Sequence, residues 1–183
     1  VHSGWGGDCV TGGGGGSVDV RLKRDVAAYK PTVVTIMLGM NDGRYRSFDQ
    51  SVYDWYTTGF DLLLKQLKTL TPSARITLIR PSPYDEVTRP AMPGGGYNPV
   101  LVRFGDFLKD YAAKQGMSVA DLNGPVVKML EKANATNSEL AQRIIPDRVH
   151  PGGSGHLIMA GALLKDWGAP AVVSEVEIDA KGR

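Results

Sequence analysis

Asp147 and His150 stand three residues apart in the stretch Asp147-Arg148-Val149-His150-Pro151. In a loop, that spacing lets a carboxylate meet imidazole Nδ1 while Nε2 faces outward, which fixes the tautomer and stabilises an imidazolium. Asn41, within Gly39-Met40-Asn41-Asp42, holds a carboxamide N–H pair suited to a developing oxyanion. The glycine-rich opening "GWGGDCVTGGGGGS", residues 4–17, has backbone N–H groups free to supply a second donor. Base, orienter and oxyanion donors together are the constellation of acyl transfer. Each stretch alone also has a plainer reading: Asn-Asp-Gly after a strand is ordinary turn chemistry, and Asp-x-x-His caps helices.

The nucleophile is the open question. Cys9 follows Gly7-Asp8 where a Gly-Asp-Ser would place a serine. Ser154, in Gly152-Gly153-Ser154-Gly155-His156, imitates a nucleophile elbow, but His156 takes the fifth position and no strand leads into the turn. It reads better as the N-cap of the last helix.

The elements that must hold these residues follow from periodicity. Ser17 caps a predicted helix running to about residue 29, with Val18, Leu22 and Val26 on one face. Pro31 ends it. "TVVTIML", residues 32–38, is a β-branched and aliphatic run with the look of a strand buried on both faces. A long amphipathic helix carries Val52, Trp55, Tyr56, Phe60, Leu63, Leu64 and Leu67, interrupted once by Gly59. Strands at 75–79 and 117–122 flank a Pro/Gly-rich loop and a helix at about 98–115. Helical stretches at about 125–133, 138–145 and 154–167 follow. This alternation predicts an α/β fold with a parallel sheet, whose working loops gather at the carboxyl ends of the strands. The loop at 81–99, with Tyr84, Arg89 and Tyr97, reads equally as a pocket wall and as a Pro-rich surface loop.

Composition narrows the partners. The 183 residues make one domain with a real core, and a net charge of +2 without a basic, aromatic-interleaved cluster sets nucleic acid aside. No apolar run reaches the length of a membrane span. A single Cys excludes an internal disulfide and a Cys-based zinc site. The chemistry needs no metal and no organic cofactor. Asn134-Ala135-Thr136 fits a glycosylation sequon, a match that chance often produces.

In "GGD", "GMND" and "DRVHP" the chain resembles the SGNH hydrolases, the GDSL-type esterases and lipases, over its whole length. The resemblance implies a flavodoxin-like three-layer α/β/α sandwich and Ser-His-Asp hydrolysis of carboxylic esters. It makes Gly7 and Asn41 oxyanion-hole donors, Asp147 the orienter and His150 the base. Acyl esters of carbohydrates or other polar alcohols are the favoured substrates, and a secreted or periplasmic location is favoured. One block departs from the family. There, Gly-Asp-Ser follows the first buried strand; here no strand precedes Cys9, which lies only 32 residues before Asn41. Gly7-Asp8 therefore matches the second block, and the first strand with its serine is expected upstream of Val1, so that residues 1–183 form a single, N-terminally truncated domain. The strand at 32–38 would then present an open edge for self-association. Two rival readings stand beside this one: a non-catalytic binding module on the same fold, and a cysteine hydrolase using Cys9.

Overall fold

Ile76 and Leu78 point to one side of a strand and Thr77 and Ile79 to the other, and helices cover both sides. The computed structural model describes residues 1–179. In chain order the elements are β1 (Gly12–Gly13), β2 (Gly16–Ser17), α1 (Val18–Arg21), β3 (Val33–Ile36), α2 (Gln50–Leu70), β4 (Arg75–Arg80), α3 (Asn98–Gln115), β5 (Ser118–Asp121), α4 (Gly124–Thr136), α5 (Ser138–Ala141) and α6 (Gly153–Asp166). The main sheet is parallel, in the order β3-β4-β5. On one face α2 and α3 close the larger core, where Tyr56 and Phe104 stack with ring centroids 4.0 Å apart. On the other face Ile79, Ala120 and Leu122 pack against α4, α6 and the Ile144-Ile145 pair. The result is the three-layer α/β arrangement that the sequence predicts.

Local signals explain most boundaries. Asp49 caps α2 by accepting from the N–H groups of Ser51 and Val52. Pro99 sits in the first turn of α3, and Gly116, at φ 63°, turns the chain out of it. Several predicted details differ. The helix expected over 17–29 is regular only to Arg21, then widens to a π-helical turn over Leu22–Val26 and tightens over Ala27–Tyr29. The glycine-rich opening contains the two-residue ribbon β1-β2 rather than loop alone. The helix expected over 138–145 ends at Ala141. Gly152, not Ser154, occupies the N-cap of α6, so Ser154 lies inside the first turn.

The larger correction concerns β3. It is four residues long and is not buried on both faces: Val33 within it, and Met37 just beyond it in the expected span, are each 42% exposed. The reason is its position. β4 pairs with one edge, and no strand pairs with the other among the described residues. Along that open edge runs a groove of about 800 Å³, lined by Leu22, Val26, Val34, Ile36, Leu63 and Leu67. Residues 171–178 do not cover it; they form no strand, and Val172, Val173, Val176 and Ile178 are exposed.

Gly59, the one break in the apolar stripe of α2, has a packing reason. A Cβ there would lie 2.5 Å from Cγ2 of Val10, which is fully buried where the glycine-rich opening crosses the helix. Gly59→Ala is therefore expected to destabilise the protein by about 1–3 kcal/mol through overpacking, although alanine gains about 1 kcal/mol of helix propensity. Urea unfolding checks this; an equal or higher midpoint would show that the opening segment is not held against α2.

Candidate active site

The Asp147–His150 pair is built locally. One oxygen of Asp147 accepts from the backbone N–H groups of Val149 at 3.0 Å and His150 at 2.7 Å, while Oδ2 meets His150 Nδ1 at 2.7 Å. Arg148, at φ 76°, makes the left-handed turn that lets the chain double back. The backbone N–H of His150, followed by its ring, holds the Asp147 carboxyl well below the usual carboxylate range. The His150 side chain is 82% exposed, and among the described residues Asp147 is the ring's only hydrogen-bond partner. With Nδ1 committed to the carboxylate, Nε2 is left for another group. A pair this exposed contributes little to stability, so its geometry depends on the backbone beneath it.

That backbone is tied to the loop over residues 81–97. The Asp85 N–H donates to the Arg148 carbonyl at 2.9 Å, and Arg148 Nε returns a bond to the Asp85 carbonyl at 3.2 Å. Arg89 pairs with the fully buried Asp85 carboxylate at 2.8 Å and donates to the carbonyls of Ile145 at 3.2 Å and Pro146 at 2.5 Å. The Arg148 guanidinium lies 5.1 Å from the centre of the Tyr84 ring. Of the three residues considered for a pocket wall, Arg89 instead braces the Asp147–His150 loop and Tyr97 is fully buried. Tyr84 is half-buried beside the pair.

The second half of the site joins the glycine-rich opening to the turn after β3. Asp42, fully buried, accepts the Val10 N–H at 2.8 Å, and Asn41 Nδ2 donates to the Asp8 carbonyl at 3.2 Å. Asp8 itself forms an ion pair with Arg21. Gly7 adopts φ 80°, with open space where a side chain would be, and among the described residues its N–H has no partner. Tyr45 links the halves: its hydroxyl donates to Asn41 Oδ1 at 2.9 Å, and it lies within electrostatic reach of both Asp147 and Cys9. The structure thus brings Asn41, Asp147 and His150 to one end of the sheet, with the Gly7 loop bound to Asn41.

The remaining candidates lack the partners that the Asp147–His150 pair has. The Cys9 thiol has Asp42 and Arg44 among its charged neighbours and, among the described residues, no histidine partner; burial pushes it up to about 11, which leaves almost no thiolate at neutral pH. His156 and His2 are exposed. Asn134 lies within α4 and donates to the Val87 carbonyl, a poor setting for a glycosylation acceptor. Tyr45, Asp85 and Arg21 were not singled out from the sequence. Their nearest partners are local: Asn41 for Tyr45, Val87 to Arg89 for Asp85, and Asp25 for Arg21. The contacts that tie them to the site lie far along the chain: Tyr84 and Tyr97 for Tyr45, Arg148 for Asp85 and Asp8 for Arg21. The two consecutive left-handed residues Arg44 and Tyr45, invisible in sequence, mark that turn as unusual. Among the described residues no three His, Cys, Asp or Glu side chains converge as a metal site, and no helix is long and apolar enough to cross a membrane.

Residues 1–158 match the model of the GDSL-like Lipase/Acylhydrolase family. No curated protein matches the chain. Among solved structures, a gut microbial diltiazem-metabolizing enzyme superposes with TM-score 0.69 at 26% identity, covering 89% of this chain and 38% of that one. Axe2, an acetylxylan esterase from Geobacillus stearothermophilus, superposes with TM-score 0.65 at 26% identity, covering 92% of this chain and 72% of that one. Catalytic mutants of that esterase replace a serine, an aspartate and a histidine, the last two three positions apart. A member of the lipolytic G-D-S-L family from Veillonella parvula shares the fold at 19% identity and TM-score 0.55, covering 76% of this chain and 66% of that one. The chain therefore spans little more than a third of the first of these proteins and under three quarters of the second.

Asp42 generates a prediction of its own. Burial raises its pKa from 3.8 to about 6, against the opposing effect of the Val10 N–H bond. An acid raised on folding costs nothing below its unfolded pKa and reaches its full cost above its folded pKa, here on the order of 3 kcal/mol. Asp42→Asn keeps an acceptor for Val10 and removes the charge. Relative to wild type, its stability is expected to improve as pH rises from about 4 to about 7. Thermal melts of both proteins across that range check the sign; a difference independent of pH would mean that Asp42 does not titrate there.

Proposed function

The chain belongs to the GDSL-like lipase/acylhydrolase family, and from that premise we propose that it supplies the base, orienter and oxyanion donors of a serine-type carboxylic ester hydrolase. The observation that carries this reading is the 2.7 Å contact between Asp147 and His150 Nδ1, with Nε2 left uncommitted at the same end of the sheet as Asn41. A serine hydroxyl placed between them attacks the ester carbonyl as His150 Nε2 takes its proton. The resulting oxyanion accepts from Asn41 Nδ2, the Gly7 N–H and the N–H of the serine itself. Collapse breaks the acyl C–O bond, and His150 returns the proton to the departing alcohol. Water, activated by the same imidazole, then releases the acid and restores the serine.

The serine comes from outside residues 1–183, at the carboxyl end of a strand that fills the groove beside β3. The groove's apolar lining and the unpaired backbone edge suit an extended segment, and such a strand would end next to Asn41. The likeness to an acetylxylan esterase whose catalytic mutants include a serine and an Asp-x-x-His pair supports this arrangement. The Tyr45, Tyr84 and Arg148 surfaces beside the pair favour acyl esters of carbohydrates or other polar alcohols.

Assay on a short aryl ester tests the reading. With the serine-bearing strand present, His150→Ala and Asp147→Asn are expected to lower kcat with little change in KM. Asn41→Ala should cost on the order of 10²- to 10³-fold, and His156→Ala should stay within a few fold. Loss of activity in the His156 variant but not the His150 variant would overturn the assignment. Residues 1–183 alone should show only residual turnover and should self-associate through the β3 edge, read by size exclusion with intact-mass analysis. Phosphonate labelling of a serine within this chain, or a clean monomer, would count against the open-groove placement of the nucleophile.

A further inference from the structure

The Asn41 carboxamide has three polar functions, an acceptor Oδ1 and two Nδ2 hydrogens. Tyr45 donates its hydroxyl hydrogen to Oδ1 at 2.9 Å, and one Nδ2 hydrogen goes to the Asp8 carbonyl at 3.2 Å. Among the described residues, the second Nδ2 hydrogen has no acceptor. A carboxamide held only at nitrogen can rotate about its last side-chain torsion, because that torsion is broad. Held at oxygen as well, it has one orientation.

We propose that Tyr45 is a positioning residue for the oxyanion donor: its hydroxyl locks the Asn41 carboxamide so that the free Nδ2–H faces the reacting ester carbonyl. The inference rests on the esterase reading of Asn41. The local structure is organised around that bond. Arg44 and Tyr45 are consecutive non-glycine residues at φ 58° and 52°, a backbone state that persists only where surrounding contacts over-determine it. Those contacts are present. The Tyr45 ring lies with its centroid 5.2 Å from that of Tyr97 and 6.1 Å from that of Tyr84. Tyr97 in turn donates to the carbonyl of Met40, the residue before Asn41. Gly43 leaves the space, since a Cβ there would collide with the Tyr97 hydroxyl. Burial, with the nearby Tyr84 and Asp147, raises the Tyr45 pKa, so the phenol remains a donor across the neutral range.

Tyr45→Phe removes the hydroxyl and keeps the ring packing. Two readouts separate positioning from structure. In ¹H–¹⁵N spectra of residues 1–183, the Asn41 carboxamide pair, identified by its loss in Asn41→Ala, is expected to shift and to exchange faster with water in Tyr45→Phe but not in Tyr84→Phe. In the protein that carries the serine-bearing strand, Tyr45→Phe should lower kcat about tenfold, the worth of one neutral hydrogen bond, with KM unchanged. It should cause no further loss in an Asn41→Ala background. Unchanged carboxamide resonances, or a kcat loss that adds fully to that of Asn41→Ala, would overturn the proposal. Absence of ester turnover in every variant would overturn the esterase reading instead, and the carboxamide spectrum would still decide whether Tyr45 orients Asn41.

Discussion

The bond from the Val10 N–H to the buried Asp42 carboxylate is the interaction on which the site depends. The opening segment has Val10 as its one fully buried apolar side chain among many glycines, so apolar burial by itself holds it at a single point. Its position is set by polar ties to the turn after β3: Val10 to Asp42, and Asn41 back to the Asp8 carbonyl. These two bonds run in opposite senses between the same pair of loops, so displacing either loop breaks both. The arrangement carries a buried carboxyl group next to Asn41. Among the described residues one oxygen of Asp42 has no hydrogen-bond partner, so the carboxylate is only partly satisfied.

A similar logic governs the Asp147–His150 loop, with the charges arranged differently. The Asp147–His150 pair is exposed and gains little from its own ion pairing. Behind it, Asp85 is fully buried and carries a full set of partners: the N–H groups of Val87 and Thr88, the Thr88 hydroxyl and Arg89. Arg89 transmits that fixed point to the carbonyls of Ile145 and Pro146, immediately before Asp147. The Asp147 and His150 side chains are thus kept accessible while the rigidity is supplied one layer deeper. In the proposed mechanism this division lets His150 reach a substrate and still keep its tautomer.

The open edge of β3 connects the fold to the chemistry. In a parallel sheet the carboxyl ends of adjacent strands deliver their loops to one place. β3 delivers Asn41 there, and the groove beside it leads to the same end of the sheet. The edge lined by Val34 and Ile36, unpaired among the described residues, is a template for pairing. Under the proposed function, a strand that fills it ends beside Asn41 and sets its own terminal residue against that carboxamide.

Periodicity and local chemistry determined a good deal. The α/β alternation, the long helices over 50–70 and 98–115, and the Asp147–His150 pair follow from patterns spanning one or a few turns of chain. The pair is closed by bonds between residues at most three apart, so its geometry is written in the residues themselves. Tertiary structure decided what depends on neighbours far along the chain. "TVVTIML" reads as a strand buried on both faces because residue type reports apolarity, whereas its burial depends on a lateral partner that no local pattern specifies. Gly59 reads as an interruption until Val10 is packed against it. Tyr45, Asp85 and Arg89 are unremarkable by type; their roles arise where the turn after β3, the loop over 81–97 and the segment before α6 meet. Periodicity encodes which face of an element is apolar, and only packing fixes which distant side chain that face, or a polar group beside it, will touch.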